Sequence, residues 1–388
     1  MRIRCYLHIV VVSALGIFYS SLLVAQFDST VQRQSDKVKE DKVRPINMFS
    51  AGLGVQSGFI FAHSESVQNT KGARPVGVEL IFSWQRNDPL IVDLCNCYPR
   101  KGLLLSYYSY DNAALGKGIT AAYFLEPTYR LGKNLFFSFR AAGGLSYLTN
   151  PFDTIHNPTN QSYSTAMNAY LLFGLSIWFR LGDRWWLAPS INYNHESNGG
   201  MKQPNSGINW PTAGLTLSYQ KDNRPYYTGL RSREKFWRDY SIRWDIGVFG
   251  TARRVLDENG NSKRLPLAGL YFQAGKQVGR INVLTLGTEI FGDRALRYEF
   301  SKDSIDASSV KAGILAGHEF ILGKFLFTQR LGFYVFDQTP DFDQLYHRWG
   351  LLYRINKNFG VGAQLQAHRH IADFTDLRVV YTFQKKKM

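Results

Sequence analysis

The chain has only three cysteines in 388 residues. Cys5 lies in the apolar amino-terminal stretch, and Cys95 and Cys97 flank a single residue. That spacing suits neither a zinc site nor a simple unstrained disulfide, so the cysteines are given no functional role. Negative charge is also scarce, with 30 acidic residues against 46 basic ones. The formal net charge of +16 fits an anionic partner such as a phosphorylated glycolipid. Beyond residue 25 there is no run of about eighteen apolar residues, which excludes a later spanning helix. A Walker loop, a GxSxG elbow and an HExxH motif are all missing, and with them the sequence support for those chemistries.

The amino terminus has a recognisable layout. Met1 to His8 carries Arg2 and Arg4, Ile9 to Val24 is almost wholly apolar, and Ala25-Gln26 offers a small residue for cleavage. Residues 1–25 therefore read as a secretory signal. Export makes nucleic acid a remote partner. Residues 26–46 are polar and charge-rich, and read as a flexible periplasmic leader. From Asn47 onward the chain is a succession of strand-length segments separated by Gly, Asn, Asp and Pro.

Those segments alternate with period two. Phe359, Val361, Ala363, Leu365 and Ala367 form one row, and Leu377, Val379, Tyr381 and Phe383 form another. The same holds for Ile242 to Val248 and for Met167 to Phe179. Period two places each row on one face of a strand. Many segments run for about ten residues, the length a tilted strand needs to cross a bilayer and about twice that of a soluble-sheet strand. Aromatic residues gather at segment ends, among them Trp185, Trp186, Tyr193, Tyr219, Trp349 and Tyr353, as interfacial girdles require. The fold class is thus all-β, an antiparallel outer-membrane β-barrel of roughly 14–16 strands over 47–388. The alternative is an eight-stranded barrel over 47–221 followed by a second β unit over 222–388.

One segment carries chemistry. In Trp185 to Asn198 the odd row is Trp185, Leu187, Pro189, Ile191, Tyr193, His195 and Ser197. It is apolar until its end, so it should face lipid, with His195 and Ser197 side by side on the outer surface. The segment follows a tight turn at Leu181-Gly182-Asp183, of the periplasmic kind. The ten residues from Trp185 to His195 correspond to about 25 Å of height at a tilt of about 40°. The pair is therefore expected at the outer-leaflet interface. A histidine beside a serine is what acyl-ester hydrolysis needs, because imidazole can take the hydroxyl proton as the oxygen attacks a carbonyl. The bland reading of the pair is a polar strand end at a membrane surface.

The wider motif is more specific. His195-Glu196-Ser197-Asn198-Gly199, followed by Pro204-Asn205-Ser206-Gly207-Ile208-Asn209, resembles the signature of PagL-type outer-membrane lipid A 3-O-deacylases. Pro151-Phe152-Asp153 and Asn157-Pro158-Thr159-Asn160 are similar to stretches of the long members known as acyloxyacyl hydrolases. So are Gly58 to His63 and His368 to Phe374. The resemblance implies a cofactor-free serine esterase with lipopolysaccharide as substrate and outer-membrane lipids as surroundings, active at the outer leaflet. His195 would be the general base and Ser197 the nucleophile, with the Asn198 N–H and the Asn205 side chain in the oxyanion hole. Asn209 stands where the better-known enzymes carry a glutamate that orients the histidine. It can accept the imidazole N–H but adds no negative charge. A porin-like or structural barrel that retains the motif without catalysis is the alternative.

Overall fold

A computed structural model describes residues 46–199, 202–229, 234–257, 262–339, 343–368 and 371–385. The expected signal over 1–25 and the leader, apart from Ile46, lie outside the described residues. No helix among the described residues is long and apolar enough to cross a membrane.

The strands of the first unit are β1 (Asn47–Gly58), β2 (Val76–Arg86), β3 (Arg100–Ser109), β4 (Lys117–Glu126), β5 (Thr128–Arg130), β6 (Leu135–Leu148), β7 (Met167–Arg180), β8 (Trp185–Ser197) and β9 (Ile208–Gln220). All pairings are antiparallel between neighbours in sequence. The sheet closes where β1 meets β9 and β4 meets β6. Strand β5 is the continuation of β4 beyond Pro127, which has no N–H to give the ladder, and it pairs with the same neighbour β6. The result is an eight-stranded barrel.

The second unit repeats the architecture with β10 (Arg243–Leu256), β11 (Ser262–Gln277), β12 (Asn282–Asp293), β13 (Val310–Leu322), β14 (Phe325–Phe336), β15 (Leu345–Arg354), β16 (Phe359–His368) and β17 (Ile371–Phe383). It closes through β10 and β17. The single large barrel preferred from the sequence is therefore not formed, and the chain takes the alternative. Each half satisfies the backbone groups of its own edge strands, so neither needs the other to close. The units divide between residues 229 and 234. Segment 222–229 stays with the first barrel, where Tyr226 packs on Phe136 at 4.7 Å and Tyr98 at 4.9 Å between ring centroids.

In both barrels the apolar rows point outward. Leu53, Val55, Leu80, Ile119, Leu145 and Ile191 are exposed, as are Ile246, Leu286 and Val379. Such a surface would be an aggregation liability in water and is the expected coat of a barrel in lipid. Trp185 and Tyr219 pair at 5.1 Å at the strand ends near Gly182, as a girdle should. Trp186 does not join them, because the alternation turns its ring inward to Phe136.

The interiors bury charged clusters beside apolar and aromatic ones. In the first barrel Glu126 takes hydrogen bonds from Ser138 at 2.6 Å and Trp178 at 3.1 Å, with Arg140 at 3.1 Å and Arg100 at 3.6 Å. In the second, Arg348 bridges Glu289 and Asp376, while Arg243 and Arg330 share Glu319. Removing one side of such a cluster strands the other without a counter-charge. Glu126→Leu is expected to cost about 3–5 kcal/mol. Heat-modifiable gel migration reads this directly: the folded band should convert at a clearly lower temperature than in the unmodified protein. An unchanged midpoint would show that Glu126 does not balance the two arginines.

A helix, α1 (Pro89–Cys95), lies between β2 and β3. It ends at Asn96, whose left-handed φ of 56° brings the Cα atoms of Cys95 and Cys97 to 5.1 Å and lets them form a disulfide. The spacing alone argues against a simple disulfide between Cys95 and Cys97, and the turn at Asn96 overturns that expectation.

Candidate active site

The site is built on the ends of β8 and β9, at the opposite end of these strands from the Gly182 turn. Antiparallel register sets His195 directly across from Asn209, and Ser197 two residues along the same face of β8. Inward-facing neighbours hold this register. Asn194 Nδ2 donates to the Trp210 carbonyl at 3.0 Å, and the Trp210 indole is wholly buried against Tyr108 and Tyr110 at 5.7 and 5.3 Å. Glu196 points into the barrel, where Tyr110 Oη donates to it at 2.5 Å, so it cannot serve the outer pair.

On the outer face the polar atoms form a chain. His195 Nε2 lies 3.2 Å from Ser197 Oγ, and His195 Nδ1 lies 2.7 Å from Asn209 Oδ1. An amide oxygen only accepts, so Nδ1 carries the ring proton. Nε2 is then a bare acceptor turned towards the serine hydroxyl, the arrangement a general base requires. His195 and Ser197 are half-buried, and Asn209 is buried.

Gly207, just before β9, lies against the ring. Gly207 has a φ of +77°, and a Cβ there would come within 2.9 Å of His195 Cε1. Glycine at this position both permits the left-handed turn and leaves room for the imidazole. Gly207 N–H donates to Ser162 O at 2.7 Å, and Ser206 N–H to Gln161 O at 3.0 Å. The Ser162 backbone is fixed in turn by Asn160, which accepts its N–H at 2.9 Å and donates to Asn150 O at 2.7 Å. Asn157 donates to Asn150 O and Ala114 O, both at 2.9 Å. The 151–160 stretch thus braces Ser206 and Gly207, just ahead of Asn209 on β9. Its exposed Asp153 accepts the N–H groups of His156 and Ile155, which hold its carboxyl below the usual range.

Asn198 and Asn205 are brought together, but not as two free donors. The Asn198 N–H donates to Asn205 Oδ1 at 2.9 Å, and the Asn198 side chain is spent on Ser164 and the Lys202 carbonyl. Since Asn205 Oδ1 faces that N–H, its Nδ2 is the end turned away as a donor. Gly199 N–H lies 3.4 Å from Ser197 Oγ.

The sequence alone gives His63 no role. Beyond β1 the chain continues along β9, with Phe61 N–H donating to Asn209 O at 2.8 Å. This sets His63 Nδ1 3.0 Å from Asn209 Nδ2. A histidine far off in sequence gives no spacing signal, and only the β1–β9 register shows where it lands.

Comparison with known proteins bears on each barrel in turn. Residues 99–220 match the family model described as lipid A 3-O-deacylase (PagL), and residues 242–385 match that of the acyloxyacyl hydrolase C-terminal domain, PagL_C. No curated protein matches in sequence search. Among solved structures, the outer membrane enzyme PagL aligns at 15% identity over 42% of this chain and 97% of its own, with a TM-score of 0.31. The beta domain of the Bordetella autotransporter BrkA aligns at 9% identity over 87% of this chain and 99% of its own, at 0.25. The KdgM porin aligns at 8% over 69% and 94%, at 0.18. The two family models lie one on each barrel and together cover more than half of the sequence, so the chain belongs to the PagL family, with a lipid A 3-O-deacylase barrel followed by the acyloxyacyl hydrolase C-terminal domain.

Proposed function

We propose that this protein is an outer-membrane serine esterase that removes an ester-linked acyl chain from the lipid A of lipopolysaccharide. The observation that carries the proposal is the outward chain Ser197–His195–Asn209 at the rim of a barrel whose outer coat is apolar. Ser197 Oγ attacks the ester carbonyl while its proton passes to His195 Nε2. The carbon–oxygen bond to the sugar breaks, and His195 returns the proton to the leaving hydroxyl. Water then cleaves the acyl-serine by the same base and frees the fatty acid. Asn209 keeps the imidazole in its productive tautomer, and Asn205 Nδ2 with backbone N–H groups nearby steadies the oxyanion. The Asn198 N–H would have to leave Asn205 to take part. No metal or cofactor is required by these steps.

The second reading is a barrel that keeps the motif without turnover, and the neutral Asn209 is the observation on its side. Purified protein incubated with lipopolysaccharide separates the two: serine-dependent release of fatty acid supports the esterase, and no release favours the non-catalytic barrel.

The proposal also requires the His195 end of β8 to face the cell exterior. Lys202→Cys, in the loop beyond Asn198, is expected to react with a membrane-impermeant thiol reagent on intact cells. Asp183→Cys, in the opposite turn, should react only after lysis. Cys95 and Cys97 are disulfide-bonded and give no background of their own. Labelling at 183 and not at 202, in an assembled barrel, would reverse the orientation and remove the site from the outer leaflet.

A further inference from the structure

The Asn209 side chain sits between two imidazoles. Its Oδ1 is 2.7 Å from His195 Nδ1 and its Nδ2 is 3.0 Å from His63 Nδ1. An amide has one end that only accepts and one that only donates. If the side chain turned over, Nδ2 would face His195 Nδ1, and the ring proton would have to move to Nε2. Ser197 would then meet an N–H in place of a base. A carboxylate has two equivalent acceptor oxygens and cannot make this error, whereas an asparagine can.

We infer that His63 is a positioning residue that holds the Asn209 amide in its productive sense and so selects the working tautomer of His195. The inference rests on the esterase reading above. A neutral imidazole favours the tautomer with its proton on Nε2, which leaves His63 Nδ1 as an acceptor facing Asn209. The other neighbour of Nδ1, the Phe61 carbonyl, is 3.4 Å away and is the weaker partner. Accepting from Nδ2 therefore fixes which end of the amide reaches His195. Two features place the His63 ring there. Phe61 is tied to β9 by its N–H, and the Phe61 and His63 rings stack at 6.4 Å with 23° between their planes.

Three variants and a spectrum test this. His63→Phe keeps the ring and removes the acceptor. The loss of one hydrogen bond of ordinary strength corresponds to a fall in kcat of about two- to tenfold, with KM unchanged. His63→Glu can only accept, so it should restore kcat. In an Asn209→Glu background, where there is no amide to turn over, His63→Phe should change kcat by less than about twofold. In ¹⁵N spectra of the detergent-solubilised protein, His195 should carry its proton on Nδ1, and His63→Phe should move part of the population to Nε2. If the unmodified protein releases fatty acid, Ser197→Ala does not, and His63→Phe matches the unmodified protein, this inference is overturned and the esterase stands. If nothing is hydrolysed, the esterase reading fails, and the tautomer of His195 decides the role of His63. An Nδ1–H signal that ignores His63→Phe overturns it.

Discussion

Ser197→Ala is expected to lower fatty-acid release from lipopolysaccharide by at least about a thousandfold, with the barrel still assembled, and His195→Ala should do the same. Loss of this size follows from removing a nucleophile or its base, because what remains is only the binding and oxyanion stabilisation around it. The structure gives little reason for either change to disturb folding. Both side chains are outward-facing and half-buried at the last positions of β8. The Ser197 hydroxyl touches His195 Nε2 and the Gly199 N–H, and the pairing of β8 with β7 and β9 is made by backbone. The readout must therefore be paired: fatty acid by mass spectrometry, and heat-modifiable migration for assembly. Activity lost with migration intact assigns the chemistry to these two residues. Loss of both would make them structural and sink the catalytic assignment. The two single variants and the double variant should be about equally inactive, since the pair works as a unit and its effects do not add.

What the sequence shows of this protein depends on how local each signal is. Alternation with period two is local, so the outward rows of β7, β8, β10, β16 and β17 were legible residue by residue. Closure is not local. The same rows would coat one barrel of sixteen strands or two of eight, and only the meeting of β1 with β9 and β10 with β17 decides. Residue type alone places Trp186 in the girdle, whereas the same local alternation that turns Trp185 outward turns it inward. His195, Ser197 and Asn209 were legible because a motif holds them within fifteen residues, and their hydrogen-bond chain needs only the β8–β9 hairpin. His63 comes from the segment beyond β1, far off in sequence. Asn198 and Asn205 were legible as neighbours, yet their bond to each other depends on the path of the loop, which residue types alone do not set.

Asn209→Glu is expected to raise the rate of ester hydrolysis by about tenfold or more, and Asn209→Ala to lower it by a similar factor. In a serine protease triad the reverse change, Asp to Asn, costs about 10⁴ in kcat because the amide supports the wrong tautomer. Here the amide is native and His63 steadies it, so part of that penalty is already avoided and the gain should be smaller. What remains is charge. His195 becomes an imidazolium as Ser197 loses its proton, and a carboxylate 2.7 Å from Nδ1 would stabilise that cation where a neutral amide does so only by its dipole. Position 209 is 9% exposed and lies near the strand end, where the penalty for charge on a barrel's outer face falls to about 0–1 kcal/mol. Assembly should thus survive the change. Alanine removes the acceptor altogether, so the ring can turn and its Nδ1 proton loses its partner. The three side chains form a series with a required order, Glu above Asn above Ala. A flat series in an otherwise active protein would mean that Asn209 merely ends the turn before Pro211. A fall on going to Glu would mean that the negative charge binds His63 or repels the anionic substrate more strongly than it helps the transition state.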